Sequence, residues 1–248
     1  MKVLVLGGTA EARALAAALL AVEMDVVSSL AGRVSNPTLP PGPVRVGGFG
    51  GVAGLVAYLR AEPVDAVVDA THPFAAQMSG NAAAACASGG VPLVRLARPG
   101  WGAHADAANW TWVRDTAGVL AAGASCRRPC LPTGRQTLAE FLPWAERPVL
   151  ARVVDPPAFA LPAAWRLLTS RGPYEVAGER RILADHGADL LVTKDSGGAH
   201  TEAKLAAARE LGVPVVVIAR PDPPAGVATV SDVPSVMIWL ATMGGRRS

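Results

Sequence analysis

The chain has 248 residues, of which 51% are hydrophobic and 17% are charged, and its formal net charge is +3. This composition is typical of one large or two small folded domains and excludes an intrinsically disordered chain. The basic residues are scattered and their excess is small, so we expect no nucleic-acid partner, although a modest positive balance suits an anionic small-molecule substrate.

The amino-terminal sequence does not have the pattern of a secretory leader. The apolar run after Lys2 is short and ends in Gly7-Gly8, with no longer apolar stretch and no cleavage signal. No run of about 18 apolar residues is present, so we expect no membrane partner and a cytoplasmic location. The three cysteines show no pairing or metal-ligand spacing, and we predict neither a disulfide nor a metal site.

The first hundred residues alternate short apolar runs with helical stretches rich in alanine and leucine. In chain order the predicted strands are Val3–Leu6, Asp25–Ser29, Val44–Val46, Asp65–Asp69 and Pro92–Leu96. The predicted helices between them are Ala10–Val22, Val52–Ala61 and Ala75–Ser88. Such alternation is typical of a mostly parallel sheet with helices on its faces.

After Arg98-Pro99-Gly100-Trp101 the same alternation begins again. The further predicted strands are Pro129–Pro132, Val149–Val154, Arg166–Thr169, Leu190–Thr193 and Val213–Ile218. The further predicted helices include one with a capping box at Thr137-Leu138-Ala139-Glu140, one that starts at Pro173 and ends before Gly187, then Thr201–Leu211 and Pro234–Met243. We therefore predict an α/β chain of two Rossmann-like domains, residues 1–100 and 101–248, with a ligand cleft between them. In an alternative arrangement, the last predicted helix packs back on the first domain.

Gly7, Gly8, Thr9, Ala10 and Glu11 join the first predicted strand to the first predicted helix. Glycines in such a turn let the backbone approach a pyrophosphate, and the helix N-terminus adds amide donors and a positive dipole. The match to G-x-G-x-x-G is imperfect because the third glycine is absent, and an alanine then has to allow the close helix packing. We predict that these residues bind a dinucleotide, with a purely structural glycine turn as the alternative.

The end of the second predicted strand indicates which dinucleotide is bound. NAD-binding folds place an acidic residue here, about 20 residues after the glycine turn, on the ribose 2′-hydroxyl. This chain has Ser28, Ser29 and then Arg33, with no carboxylate. Two hydroxyls and a guanidinium suit a 2′-phosphate, so we predict that NADPH rather than NADH is bound. The alternative for Arg33 is a solvated loop position.

Asp69, Thr71, His72 and Pro73 follow the fourth predicted strand. In doubly wound sheets, residues beside the nicotinamide lie at this position, so we predict that these four bind the cofactor. His72 is a candidate to orient the nicotinamide or to donate a hydrogen bond, and a purely structural histidine is the alternative.

Three predicted strand ends in the second half carry glycine together with charged or hydroxyl residues. They are Thr133-Gly134-Arg135, Ser170-Arg171-Gly172 and Lys194-Asp195-Ser196-Gly197. Ligands of open α/β sheets lie outside the carboxyl ends of the strands, and arginine forks pair well with carboxylates. We therefore predict that Arg135, Arg171 and Lys194 form a cationic rim around a polycarboxylate substrate, assisted by Gly134, Gly172, Ser196 and Gly197.

Taken together, these motifs resemble the precorrin-6A reductase family of corrin biosynthesis over nearly the whole chain. The motifs that carry the resemblance are Val5–Glu11, Asp69–Ala75, Arg95–Pro99, Thr133–Arg135, Ser170–Tyr174 and Val192–Gly198, with Thr201, Glu202 and Lys204. The run Asp-Ala-Thr-His-Pro-Phe at residues 69–74 is quite specific, whereas the first glycine turn is not.

The resemblance implies a cytosolic enzyme in which NADPH reduces one double bond of the precorrin-6A macrocycle to give precorrin-6B. It adds Thr201 to the predicted substrate site. Some family members reduce the cobalt-containing analogue, which stays an alternative here. Lys194, Asp195, His72 or a bound water are the candidates for the general acid that supplies the proton.

Three other classes of protein are alternatives to this family. A short-chain dehydrogenase is nearly excluded, because neither Tyr58 nor Tyr174 has a lysine four residues later. A methyltransferase that uses S-adenosylmethionine lacks the acidic residue expected after the second strand. A non-catalytic NADPH sensor stays open, although the three polar strand ends of the second half argue against it. The sequence does not determine the oligomeric state, and a monomer is our expectation.

Overall fold

A computed structural model describes residues 1–32 and 35–244. Its strands are β1 (Lys2–Leu6), β2 (Asp25–Leu30), β3 (Val44–Val46), β4 (Ala66–Asp69), β5 (Leu93–Leu96), β6 (Thr111–Val113), β7 (Pro129–Leu131), β8 (Leu150–Val153), β9 (Arg166–Thr169), β10 (Leu190–Lys194), β11 (Val215–Ile218) and β12 (Ala228–Val230). Its α-helices are α1 (Ala10–Ala21), α2 (Gly51–Ala61), α3 (Ala76–Gly89), α4 (Thr116–Ala122), α5 (Val176–His186), α6 (Ala199–Leu211) and α7 (Val233–Gly244).

The chain divides into two compact units, each built on its own sheet. Unit 1 comprises Met1–Arg98 together with Pro221–Ser248, and unit 2 comprises Pro99–Arg220. The prediction gave 101–248 to the second domain and left open that the last helix packs on the first, whereas both β12 and α7 belong to unit 1. The physical reason is that β12 pairs in parallel with β5 and that α7 buries its apolar face in unit 1.

Unit 1 contains a six-stranded parallel sheet in the order β3-β2-β1-β4-β5-β12. This order is that of the doubly wound dinucleotide-binding fold, in which a crevice opens where the strand order reverses, between β1 and β4. Leu15 and Leu19 of α1 pack with Val236 and Leu240 of α7 on one face of the sheet. On the other face α2 and α3 bury apolar residues that include Leu55. Burial on both faces explains the nearly continuous apolar strands.

Unit 2 contains a second six-stranded parallel sheet, in the order β6-β11-β10-β7-β8-β9. Here the strand order reverses between β7 and β10, which are hydrogen-bonded neighbours. Leu183 of α5 and Leu205 of α6 pack on one face. The predicted α/β class with two Rossmann-like halves is confirmed. No helix among the described residues is long and apolar enough to cross a membrane.

One predicted helix takes another form. Residues Arg135–Trp144 form a 3-10 helix rather than an α-helix with a capping box. The Thr137 hydroxyl is directed back to the carbonyl of Gly134 at 3.4 Å, and the Glu140 carboxylate accepts a hydrogen bond from Thr116 instead of capping its own helix. Pro143 inside the segment lacks the amide that an α-helical hydrogen bond would need there. The short elements β6, α4 and β12 were not predicted.

Candidate functional site

The turn between β1 and α1 has the geometry of a phosphate-binding turn. Gly8 has φ of +115°, and an added Cβ there would meet no atom within 4 Å, so the turn is open on its outer side. A Cβ at Gly7 would lie 3.4 Å from the Cβ of Ala12, which shows that Ala12 allows the close packing expected of the third glycine. Helix α1 begins at Ala10, so the backbone amides of its first turn lie next to this space.

Thr9 fixes the turn from the side of the helix. Its Oγ1 accepts a hydrogen bond from Ala12 N at 3.1 Å and donates one to the carbonyl oxygen of Ala70 at 2.8 Å. The first of these caps α1, and the second ties the turn to the end of β4. Glu11 in the first helical turn pairs with Arg98 at 2.7 Å. The negative charge of Glu11 is thus neutralised where a phosphate would approach.

The end of β2 carries the predicted hydroxyls and no carboxylate. Ser28 and Ser29 are both buried, and Ser28 Oγ has no hydrogen-bond partner among the described residues. The Ser29 carbonyl accepts a hydrogen bond from Gly7 N at 2.9 Å, which joins this strand end to the glycine turn. Arg33 lies outside the described residues, so its assignment stays a prediction.

The segment after β4 is held by internal hydrogen bonds. Asp69 is buried, and its Oδ1 accepts from both the amide (3.1 Å) and the hydroxyl (2.7 Å) of Thr71. His72 Nδ1 accepts from the amide of Phe74 at 3.2 Å. Arg95 on β5 is 5% exposed and donates to the carbonyl of Pro73 at 3.3 Å. His72 therefore lies on a segment that is held in place by a hydrogen bond from the buried Arg95.

The predicted cofactor residues of unit 1 meet at one edge of the sheet. The parallel register places Leu6 beside both Ser29 and Asp69, so the ends of β2, β1 and β4 are adjacent. The glycine turn lies between the Ser28-Ser29 hydroxyls on one side and the His72 segment on the other. An arrangement of this kind can hold a dinucleotide with its pyrophosphate over the turn.

In unit 2 the predicted residues gather around the point where the strand order reverses. Gly134 follows β7 with φ of +82°, and Arg135 begins the 3-10 helix and donates to the carbonyl of Pro156 at 3.4 Å. Thr133 Oγ1 is buried and has no hydrogen-bond partner among the described residues. The neighbouring strand β10 ends at Lys194. The two loops therefore flank the crevice position of this sheet.

Lys194 is a half-buried cation at this edge. Burial lowers the pKa of Lys194 below that of an exposed lysine, and the charge of Glu140 partly opposes that shift. Glu140 is itself held by a hydrogen bond of 2.5 Å from the hydroxyl of Thr116. A desolvated ammonium of this kind is suited both to pairing with a carboxylate and to giving up a proton.

Both carboxylate oxygens of Asp195 contact other groups of the protein. Its Oδ1 accepts from the amide of Trp101 at 2.6 Å, and its Oδ2 lies 3.3 Å from Nε of Arg220. Arg220 also donates to the carbonyl oxygens of Asp195 (2.7 Å) and Pro99 (3.1 Å). The carboxylate thus joins the chain segments with which unit 2 begins and ends.

The start of α6 completes this edge. Ser196 Oγ and Thr201 Oγ1 are 3.2 Å apart, and Thr201 Oγ1 donates to the carbonyl of Gly197 at 3.1 Å. Gly197 has φ of +62°, and an added Cβ there would lie 2.1 Å from the carbonyl oxygen of Pro99, so no other residue fits. The close packing and the paired hydroxyls fix the loop that follows Lys194.

Arg171 and Gly172 lie on a loop after β9, two strands away from β7. The loop is closed by a hydrogen bond of 3.2 Å from the Tyr174 hydroxyl to the carbonyl of Ser170. The guanidinium of Arg152 on β8 lies 4.2 Å from the centre of the Tyr174 ring and forms a buried ion pair with Glu179 of α5. Of the predicted rim residues, Arg135 and Lys194 are on neighbouring strand ends, and Arg171 is more distant along the sheet.

Four residues that make contacts at the two sheet edges were not predicted from the sequence. These residues are Arg45, Arg152, Glu179 and Arg220. Arg45 lies beside Ser29 of the adjacent strand. A basic residue in a short strand, shortly before the glycine-rich run 47–51, could have indicated Arg45. The ion pair of Arg152 with Glu179 joins residues distant in sequence, and no local pattern indicates it.

Comparison with known proteins supports the resemblance found in the sequence. A family profile described as "Precorrin-6x reductase CbiJ/CobK" matches residues 2–241. The chain is 48% identical over 247 residues to the Precorrin-6A reductase of Rhodococcus erythropolis, with 99% of each chain covered. It is 47% identical to the Precorrin-6A reductase of Rhodobacter capsulatus, over 98% of this chain and 97% of the relative.

A solved structure described as "CobK precorrin-6A reductase" has the same fold. It superposes with a TM-score of 0.91 at 46% sequence identity and covers 98% of this chain and 97% of its own. The matches extend over both units, so they concern the whole architecture rather than one dinucleotide-binding half. The chain belongs to the precorrin-6x reductase family.

Proposed function

We propose that the protein catalyses the NADPH-dependent reduction of one double bond of precorrin-6A to give precorrin-6B, in cobalamin biosynthesis. The observation that carries the proposal is the match of the whole chain to relatives named Precorrin-6A reductase at 47–48% identity. The parallel sheet with an open glycine turn after β1 supports a nicotinamide cofactor in that reaction. A cytoplasmic location and a monomeric state stay predictions.

The residues of unit 1 fit a dinucleotide. Open space beside Gly8, the N-terminus of α1 and the neutralised charge of Glu11 suit a pyrophosphate. The buried and unpartnered Ser28 hydroxyl, together with the absence of a carboxylate at the end of β2, suits a phosphorylated ribose. When bound, NADPH supplies the hydride, and the protein supplies orientation and charge stabilisation.

In this proposal the residues of unit 2 bind the substrate. The acetate and propionate groups of a precorrin are anions, and Arg135 and Arg171 offer planar donor forks that match carboxylates. Lys194 and the hydroxyls of Ser196 and Thr201 lie at the neighbouring strand end. Holding a large polyanion at several points orients it and lowers the entropic cost of reaching the reactive geometry.

Lys194 is the general acid that we favour. Reduction of a carbon–carbon double bond adds a hydride to one carbon and a proton to its neighbour, so a positioned donor is needed. Asp195 has both carboxylate oxygens in contact with Trp101 or Arg220, whereas Lys194 lies at the sheet edge with a pKa lowered by burial. His72 belongs to unit 1 and is assigned to orient the nicotinamide ring.

The test is NADPH oxidation, followed by absorbance at about 340 nm, with enzymatically prepared precorrin-6A. We expect oxidation of one NADPH per macrocycle and much slower oxidation of NADH. Oxidation only with the cobalt-containing macrocycle would replace the proposed substrate by that analogue. Tight NADPH binding without turnover of either macrocycle would contradict an enzymatic role and favour a sensor.

A further inference from the structure

Arg45 is the middle residue of the short strand β3 and lies next to the predicted ribose site. The parallel register pairs it with Ser29 on β2, and its Nη1 is 3.4 Å from Ser29 Oγ. Ser29 is in turn hydrogen-bonded to Gly7 of the glycine turn. The adjacent strands β1, β2 and β3 are therefore associated, in this order, with an open glycine turn, a serine hydroxyl and a guanidinium.

The guanidinium of Arg45 is held in a fixed orientation. Its Nη1 donates to the carbonyl of Gly47 at 2.5 Å and its Nη2 to the carbonyl of Gly48 at 2.8 Å. The centre of the guanidinium lies 3.9 Å from the centre of the Phe49 ring, and Phe49 packs edge to face on Tyr58 with 5.1 Å between ring centres. An arginine that is already ordered loses less entropy when it binds an anion.

Two glycine features keep this arrangement in place and leave space beside it. An added Cβ at Gly54 would lie 1.6 Å from the carbonyl oxygen of Phe49, so only glycine lets Phe49 take its position under Arg45. An added Cβ at Gly47 or Gly48 would meet no atom within 4 Å. The backbone that surrounds the guanidinium therefore leaves room for a ligand.

The charge of Arg45 has no acidic partner in the part of the chain that the structure describes. Its hydrogen bonds go to two carbonyl oxygens and one hydroxyl, all of them neutral. A half-buried arginine with neutral partners is a ready site for an anion, because the anion brings the missing counter-charge. In a dinucleotide-binding sheet, an arginine near the end of the second strand accommodates a phosphate on the ribose, and Arg45 lies beside Ser29 of β2.

We infer that Arg45 binds the 2′-phosphate of NADPH and is the residue that makes the protein prefer NADPH to NADH. The inference rests on the proposed function and names the specificity determinant of its cofactor site. The distance between the strands agrees with this role, because β1 and β3 are two strands apart and the glycine turn is therefore roughly 10 Å from Arg45. A pyrophosphate over β1 and a ribose over β2 then bring the 2′-phosphate to β3.

The experiment measures binding of two adenosine nucleotides to the full chain by calorimetry, so that it does not depend on precorrin turnover. The ligands are adenosine 2′,5′-bisphosphate and adenosine 5′-monophosphate, which differ only in the 2′-phosphate. We expect Arg45→Gln to weaken binding of the bisphosphate by about 10- to 100-fold and to leave the monophosphate unchanged, as befits loss of a charged hydrogen bond. Arg60→Gln, at the exposed last turn of α2, is the matched control and should leave both affinities unchanged.

The outcomes separate the inference from the proposed function. A wild-type protein that binds both nucleotides equally would overturn the proposed preference for NADPH itself. A wild-type preference for the bisphosphate that survives in Arg45→Gln would overturn only the role of Arg45. If Arg45→Gln does not fold, judged by circular dichroism, Arg45→Lys replaces it. That variant keeps the charge but loses the planar fork, so the expected affinity is intermediate and more sensitive to salt, and an unchanged affinity counts against the inference.

Discussion

At the scale of single residues, Lys194 and Asp195 are neighbours with different surroundings. The Lys194 ammonium is desolvated at the edge of the unit 2 sheet, and the Asp195 carboxylate is enclosed by the Trp101 amide and the Arg220 guanidinium. Desolvation makes a cation more acidic, whereas an enclosed carboxylate that accepts hydrogen bonds contributes to stability. Substitution of the two residues should therefore change different measured quantities.

Lys194→Met should reduce kcat by about 100-fold or more while changing the KM for NADPH little, because a general acid acts in the transition state. The acid must be protonated to act, so wild-type kcat should be level at low pH and fall as the pH rises through the lowered pKa of Lys194. This alkaline limb should be missing in the variant. A pH profile of kcat measured with saturating substrates tests both points, and a variant that alters only the KM for precorrin would leave Lys194 as a binding residue.

Asp195→Ala should act mainly on stability. The change removes the acceptor of the Trp101 amide and one contact of Arg220, and each unsatisfied buried group costs about 1–3 kcal/mol. We expect a lower midpoint of urea unfolding, with kcat at low temperature within a few-fold of wild type. Loss of kcat as large as that of Lys194→Met, in a protein of unchanged stability, would instead identify Asp195 as the acid.

At the scale of elements, a buried ion pair joins β8 to α5. Arg152 and Glu179 have side chains that are 5% and 4% exposed, and Arg152 also stacks on Tyr174 of the loop that carries Arg171. Burial of two charges requires that both be present, because a single one would remain uncompensated. The same contact therefore supports the helix, the strand and the loop.

Glu179→Gln should destabilise unit 2 by about 3–5 kcal/mol, because the Arg152 charge loses its partner in the core. The double variant Arg152→Met with Glu179→Leu should recover most of that loss. Tryptophan fluorescence during urea unfolding is a suitable probe, since Trp101, Trp110, Trp112, Trp144 and Trp165 lie in unit 2 and only Trp239 lies in unit 1. A single variant as stable as wild type would show that the pair contributes nothing.

At the scale of the whole molecule, the chain forms most of unit 1, then all of unit 2, and returns to unit 1 after Arg220. The returning segment supplies the edge strand β12 and the helix α7, whose Val236 and Leu240 are fully buried against the core that supports the glycine turn. The stability of the dinucleotide-binding unit therefore depends on residues at the far end of the sequence.

Leu240→Ala should destabilise unit 1 by about 2–5 kcal/mol through loss of apolar contacts and the cavity that remains. Ile238 on the same helix is 67% exposed, and Ile238→Ala should change stability by less than about 0.5 kcal/mol. Thermal unfolding followed by far-ultraviolet circular dichroism, with and without NADPH, measures both. Equal effects of the two substitutions would contradict the packing of α7 in unit 1.

Local patterns determined much of this protein from the sequence. Alternating apolar runs and helical stretches predict the parallel α/β class because burial on both faces of a sheet requires them. The glycine turn at Gly7-Gly8, the serines near the end of β2 and the segment 69–73 were found because each lies at the carboxyl end of a strand. Their convergence on one edge is a consequence of parallel pairing, and the structure confirms that adjacency in the register of β1 with β2 and β4.

Only the tertiary structure decided which side chains meet across the sheet. Arg45 and Ser29, or Arg152 and Glu179, are distant in sequence and come together because neighbouring strands and helices pair in a particular order. The same holds for β12, a short strand that was not predicted, and for the choice between the two units that the sequence left open for α7. The sequence by itself determined the fold class, the family and the strand ends that carry polar residues. The order of the strands decided the rest, because long-range pairing depends on the packing of the complete chain and not on any local pattern.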